Sequence, residues 1–121
     1  MRDLPDVNVW LALVNQSHQH HQRASDYFAH ESQAVCAFCR ITMLGLARLL
    51  TNSAVMAANP LSCKDAMALQ QSLLAVESVE FLSEPIDIEA QLTRLIEGKD
   101  CSHRLWTDAY LAAFAITGGL R

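Results

Sequence analysis

In the stretch Leu4-Pro-Asp-Val-Asn-Val-Trp-Leu-Ala-Leu13, a short apolar lead that ends at Asp6 gives way to the dense apolar run Val9 to Val14. Asp6 and Asn8 stand at the junction, where a strand hands over to a helix. Pro5 removes a ladder donor, so the strand before it must be short or bent at its end. A carboxylate at the end of a first strand, followed directly by a helix, is an arrangement of α/β proteins. In such folds ligands bind outside the carboxyl ends of parallel strands.

The rest of the chain continues the alternation. Residues 20–30 carry Ala24, Tyr27 and Phe28 on one helical face, and Ala34 to Phe38 reads as a buried strand. From Arg40 to Asn52 the apolar positions wrap most of a helix, which is expected to pack between neighbours. Gly45 inside it costs about 1 kcal/mol against Ala and signals a close approach. Ser62-Cys-Lys-Asp65 resembles a capping box opening a helix to Val76. Val79 to Leu82 is strand-like, Asp87 is expected to cap a helix stopping at Gly98, and a last helix begins near Thr107-Asp108 and ends at Gly118-Gly119. Strands alternating with helices imply parallel pairing and a layered α/β domain.

Composition narrows the function. The 121 residues are 51% hydrophobic and 18% charged, with 9 Lys and Arg against 13 Asp and Glu for a net charge of −4. That balance suits one globular domain and excludes a disordered or collagen-like chain. No window reaches the roughly 18 uncharged apolar residues of a spanning helix. The N-terminus meets acid and proline too early for a signal peptide, so a cytoplasmic protein is expected. An acidic total argues against a broad phosphate-binding surface, so any nucleic-acid contact has to be local, metal-assisted or shared with a second subunit.

Several clusters invite chemistry. Cys36-Ala-Phe-Cys39 matches C-x-x-C, but it has no second half and lies in an apolar run where thiols pack as small hydrophobes. Cys63 and Cys101 are expected to stay reduced with them. His18, His20 and His21 sit in the polar stretch Ser17 to Gln22, which reads as a solvated loop and helix start rather than a metal site. Asp6 and Asp108 carry the stronger signal. Asp108 falls in the first turn of a helix, where free backbone N–H groups favour an ionised carboxylate. Two carboxylates converging from distant parts of the chain would repel unless a cation joined them, and hard Mg²⁺ or Mn²⁺ suits oxygen ligands. Against that, Asp6 as a turn residue and Asp108 as a helix cap needs no ligand. Glu80 and Glu84 flank a strand, where acids are usually solvated. Arg48 could contact RNA phosphate, face a dimer partner or anchor a carboxylate inside the fold.

Three ordered blocks tip the balance: Leu4 to Leu13; Arg40-Ile-Thr-Met-Leu-Gly-Leu-Ala-Arg-Leu-Leu-Thr-Asn52; and Leu105-Trp-Thr-Asp-Ala-Tyr-Leu-Ala-Ala-Phe-Ala115. In order and spacing they resemble the PIN-domain family, and within it the VapC-like toxins of toxin-antitoxin pairs. The resemblance spans essentially residues 1–121 as a single PIN-like domain. It implies a three-layer α/β/α fold on a central parallel sheet and a Mg²⁺- or Mn²⁺-dependent endoribonuclease. It also implies a homodimer, and inhibition by a small VapB-like antitoxin whose tail enters the site. Asp6 matches the family's first acid, Asp108 its third, and Asn8 the asparagine that steadies the first carboxylate or its waters. Two departures stand out. Met43 occupies the place where many members carry an acid, and it cannot bind a hard cation. The family usually continues past Gly118-Gly119-Leu120-Arg121 into another strand ending in an aspartate. Relative to that pattern the domain is C-terminally incomplete, with an edge expected to be left open beside the first strand. The alternative to an enzyme is a PIN-like interaction protein, too poor in ligands to hold metal, that binds an antitoxin.

Overall fold

The computed structural model describes residues 2–31, 35–57, 59–98, 103 and 105–120. Cys101 and Ala34 lie outside them. The elements run β1 (Arg2–Asp3), α1 (Val7–Val14), α2 (His21–Asp26), β2 (Val35–Phe38), α3 (Arg40–Leu50), α4 (Cys63–Leu74), β3 (Val79–Phe81), α5 (Ile88–Ile96) and α6 (Leu105–Gly118). α2 continues into a π-helical segment, Tyr27–Glu31. The three described strands pair in parallel in the order β1-β2-β3, with Asp3 opposite Cys36 and Cys36 opposite Val79. The expected α/β architecture is therefore present, with β2 central.

Alternation along β2 builds the layers, because successive side chains of a strand point to opposite faces. Cys36 and Phe38 face one cluster, made with Trp10 and Leu11 of α1, Leu46 and Leu50 of α3, Ala66 of α4 and Val79 of β3. The Phe38 ring stacks on Trp10 with centroids 3.9 Å apart. Cys39 belongs to the second cluster, with Ile88 of α5 and Ala113 and Phe114 of α6, against which Leu4 and Leu82 pack. The two cysteines of the C-x-x-C stretch thus sit in different layers, both buried. They pack as small hydrophobes, as the apolar run suggested.

Two local features differ from the sequence expectation. The first strand ends at Asp3, three residues before Asp6, since buried Pro5 offers no N–H to extend the ladder. At α5, Asp87 occupies the N-cap position, but its side chain makes no capping hydrogen bond. Elsewhere local chemistry acts as read: the Ser62 hydroxyl accepts from Asp65 N at 3.1 Å and opens α4.

α3 lies against α1 and α4, as its apolar wrap predicted. Gly45 is the reason α1 comes so near: a Cβ there would sit 3.3 Å from Val7 Cγ2. Yet Ile41 and Leu44 remain 38% and 50% exposed, so the helix is not covered all round. Arg48, at the same helical spacing, shares that open face. Among the described residues no helix is long and apolar enough to cross a membrane.

Candidate active site

Asp6 is the N-cap of α1, with extended backbone at φ −65° and ψ 159°. Its Oδ1 accepts from Val7 N at 2.7 Å, and its Oδ2 accepts from Asn8 Nδ2 at 3.3 Å. Its backbone carbonyl takes the N–H groups of Val9 and Trp10 at 3.0 and 3.3 Å. Asp6 is therefore exposed but held by its own helix, with the Asn8 amide donating to it. The helix is itself located by the Val7–Gly45 approach and by buried Trp10.

Asp108 lies in the first turn of α6, exposed, with no hydrogen bond or ion pair among the described residues. The helix begins at Leu105, earlier than the Thr107-Asp108 start read from sequence. Ala109, Ala113 and Phe114 bury one face of it. The second cluster brings that face to Leu4, two residues before Asp6, and to Cys39, one before Arg40. The packing thus links α6 to the segments that follow the first two strands. Between Asp6 and Asp108 themselves no hydrogen bond or bridging side chain occurs among the described residues. No three His, Cys, Asp or Glu side chains among them group closely enough to hold a metal ion.

The remaining candidates separate. Glu80 is engaged by Arg2 Nε at 3.0 Å across the sheet. Glu84 is exposed beyond β3, and its charge adds to burial in pushing the Tyr110 phenol above its ordinary value, with Cys39 a lesser contribution. Arg48 is exposed and has no ion pair among the described residues. His18 and His20 occupy a turn, and His21 opens α2 with Nδ1 donating to the Ala12 carbonyl at 2.8 Å. This is the loop and helix start read from the sequence.

Two features escaped the sequence reading. Arg40, the first residue of α3, holds its guanidinium 4.6 Å over the Phe81 ring and donates to the Met43 sulfur at 3.2 Å. The Arg40 guanidinium is thus held by a thioether and a ring. Asp3, 3% exposed, accepts a hydrogen bond from the Tyr27 hydroxyl. Burial first, then that hydrogen bond, pushes the Tyr27 phenol far above its ordinary value. Only the i, i+3 spacing of Arg40 and Met43 could have signalled the first pair, and nothing local signals the second.

A sequence profile of the PIN domain matches residues 4–121. This chain belongs to the PIN-domain family. It is 37% identical to Ribonuclease VapC41 of Mycobacterium tuberculosis, over 96% of this chain and 83% of that protein. It is 32% identical to Ribonuclease VapC38 of the same organism, over 98% and 80%. The crystal structure of M. tuberculosis VapC20, a sarcin-ricin loop cleaving toxin, superposes with a TM-score of 0.67 at 18% identity, over 99% of this chain and 85% of that one. That PIN-domain frame is the three-layer α/β/α arrangement expected from the sequence.

Proposed function

We propose that this PIN-domain chain is a Mg²⁺- or Mn²⁺-dependent endoribonuclease, the toxin of a cytoplasmic toxin-antitoxin pair. The observation that carries the reading is the Asp6–Asn8 pair at the start of α1, held in the sequence block that resembles the family's first acidic motif. Relatives named as VapC ribonucleases at 32–37% identity support it.

The donor chemistry fits a hard divalent cation. Each Asp6 oxygen accepts one N–H and keeps a further lone pair, and Asp108 has both oxygens uncommitted among the described residues. Mg²⁺ commonly takes one or two carboxylates and fills its shell with water and substrate phosphate. When bound, it would activate a water and neutralise charge on the scissile phosphate. The chain's own part is to hold the carboxylates. The Asn8 amide and Val7 N–H fix the Asp6 carboxylate against rotation, and the first turn of α6 favours an ionised Asp108.

The test is cleavage of a structured RNA in Mg²⁺ or Mn²⁺. Activity abolished by chelator and lowered about a hundredfold or more by Asp6→Asn or Asp108→Asn is the expected result. Inactivity of the unsubstituted chain in both metals would move the reading to an interaction protein. Met43 favours that alternative, because its sulfur replaces a hard ligand.

A VapB-like antitoxin is the proposed protein partner, and a homodimer the proposed assembly. The exposed Ile41, Leu44 and Arg48 face of α3 supports a covering surface, since exposed apolar residues at helical spacing gain from burial. Sedimentation at micromolar protein should give a dimer that Leu44→Glu converts to monomer. A monomer without the substitution ends the dimer proposal.

A further inference from the structure

Beside the Asp6–Asn8 pair, α1 and the turn into α2 enclose a cleft of about 470 Å³. Its lining combines an apolar wall that includes Val9 with the polar groups of Asn8, His18, His20, Arg23 and Tyr27, with no Asp or Glu among the described residues that line it. In a chain of net charge −4, the charged side chain lining the cleft among the described residues is an arginine, while the carboxylates of Asp6 and Asp3 stand behind the wall, each bonded to a lining residue.

The groups in it are arranged to donate. The His20 backbone N–H donates to His18 Nδ1 at 3.0 Å, which leaves Nε2 as the N–H of the neutral His18 ring. The two imidazoles lie 5.6 Å apart. Arg23 is exposed and carries no ion pair among the described residues, whereas Arg2 is held by Glu80 and Arg40 lies over Phe81. Tyr27 is fixed by its hydrogen bond to buried Asp3, so that side of the cleft is stiff. Asn8 connects the cleft to the proposed active site, because the same residue lines the one and donates to Asp6 in the other.

We propose that this cleft is a nucleotide subsite for the RNA next to the cleaved bond. Arg23, His18 and His20 take a flanking phosphate, and the sugar or base packs on the Val9 wall. The volume lies in the range of small-molecule pockets. A guanidinium fork matches phosphate geometry, and the imidazoles add further donors. The inference rests on the RNA-cleaving reading, to which it adds where the substrate is gripped.

The experiment measures binding of a fluorescein-labelled RNA stem-loop to the full chain carrying Asp6→Asn, so that the RNA stays intact. Adding Arg23→Glu should weaken binding about tenfold or more and make its salt dependence shallower by about one unit. Arg94→Glu, the same charge change at an exposed position of α5, should leave affinity within about threefold. RNA should also shift the imidazole resonances of His18 and His20, a readout that needs no substitution in the cleft. Equal effects of Arg23→Glu and Arg94→Glu, or unmoved imidazole signals on the RNA-bound protein, would overturn the subsite. Failure of the chain to bind RNA would overturn it together with the ribonuclease reading. Arg23-dependent binding by a chain that cleaves no RNA in either metal would uphold the cleft as an RNA phosphate site and overturn its place beside a cleaved bond.

Discussion

Asp6 and Asp108 both stand at the N-terminal end of a helix, yet the fold holds them differently. Asp6 caps α1 through Val7 N, is braced by Asn8, and begins a helix wedged against Gly45. Asp108 has no hydrogen bond among the described residues, although Ala109, next to it, is buried. One carboxylate is ordered by local chemistry before any ligand arrives. The other has its backbone fixed by packing while its side chain has no partner among the described residues. Ordering that side chain costs conformational entropy, which a ligand has to supply. A cation shared by the two should therefore bind weakly until RNA phosphate joins it.

The largest effects should erase the contrast rather than follow it. If the proposed ribonuclease holds its cation through both, loss of charge at either position should remove cleavage despite their unequal anchoring. Next in size is the response to metal. Saturating Mn²⁺ at about 100 times its dissociation constant should stabilise the native chain by about 2.7 kcal/mol, which a thermal melt reads as a raised midpoint. Asp6→Asn and Asp108→Asn should each remove that rise. A rise that survives Asp108→Asn would mean that the cation needs Asp6 alone and that the two sites are not linked.

Much of the frame was legible because its signals are local. The apolar run ending at Phe38, the periodic wrap of α3 and the Ser62 cap of α4 are each written within a few positions, whereas Gly45 signalled a close approach without showing that its neighbour is Val7. Asn8 beside Asp6 is of the local kind. What stayed hidden depends on distance in sequence. Asp3 meets Tyr27 across 24 positions, and Arg40 reaches the ring of Phe81 from another element. The cleft of Asn8, His18 and Arg23 exists only once α1 and α2 have packed. The histidine stretch read as a solvated turn, and it is one, but packing against α1 turns part of it into the wall of a cavity. The early end of β1 at Asp3 had its cause in plain view at Pro5, which lacks the N–H that would carry the ladder on. The pairing of β1 with Val35 and Cys36 stops where β2 begins to serve β3 alone.

The smallest effect separates the two aspartates most cleanly, because it concerns the fold without metal. Removing an N-cap acceptor usually costs about 1 kcal/mol, and Asn replaces Asp there with little loss. In metal-free urea unfolding, Asp6→Ala should therefore lower stability by about 1 kcal/mol while Asp6→Asn stays near the parent. Asp108→Ala loses a favourable charge near a helix N-terminus, about 0.3–1 kcal/mol, but gains up to about 0.7 kcal/mol of helix propensity. The two nearly cancel, leaving it within about 0.5 kcal/mol of the parent. An equal loss for Asp6→Ala and Asp108→Ala would mean that Asp108 also has a structural partner and that the asymmetry between the two carboxylates is absent in solution. A loss for Asp6→Asn as large as for Asp6→Ala would locate the Asp6 contribution in its charge rather than in the hydrogen bond to Val7 N.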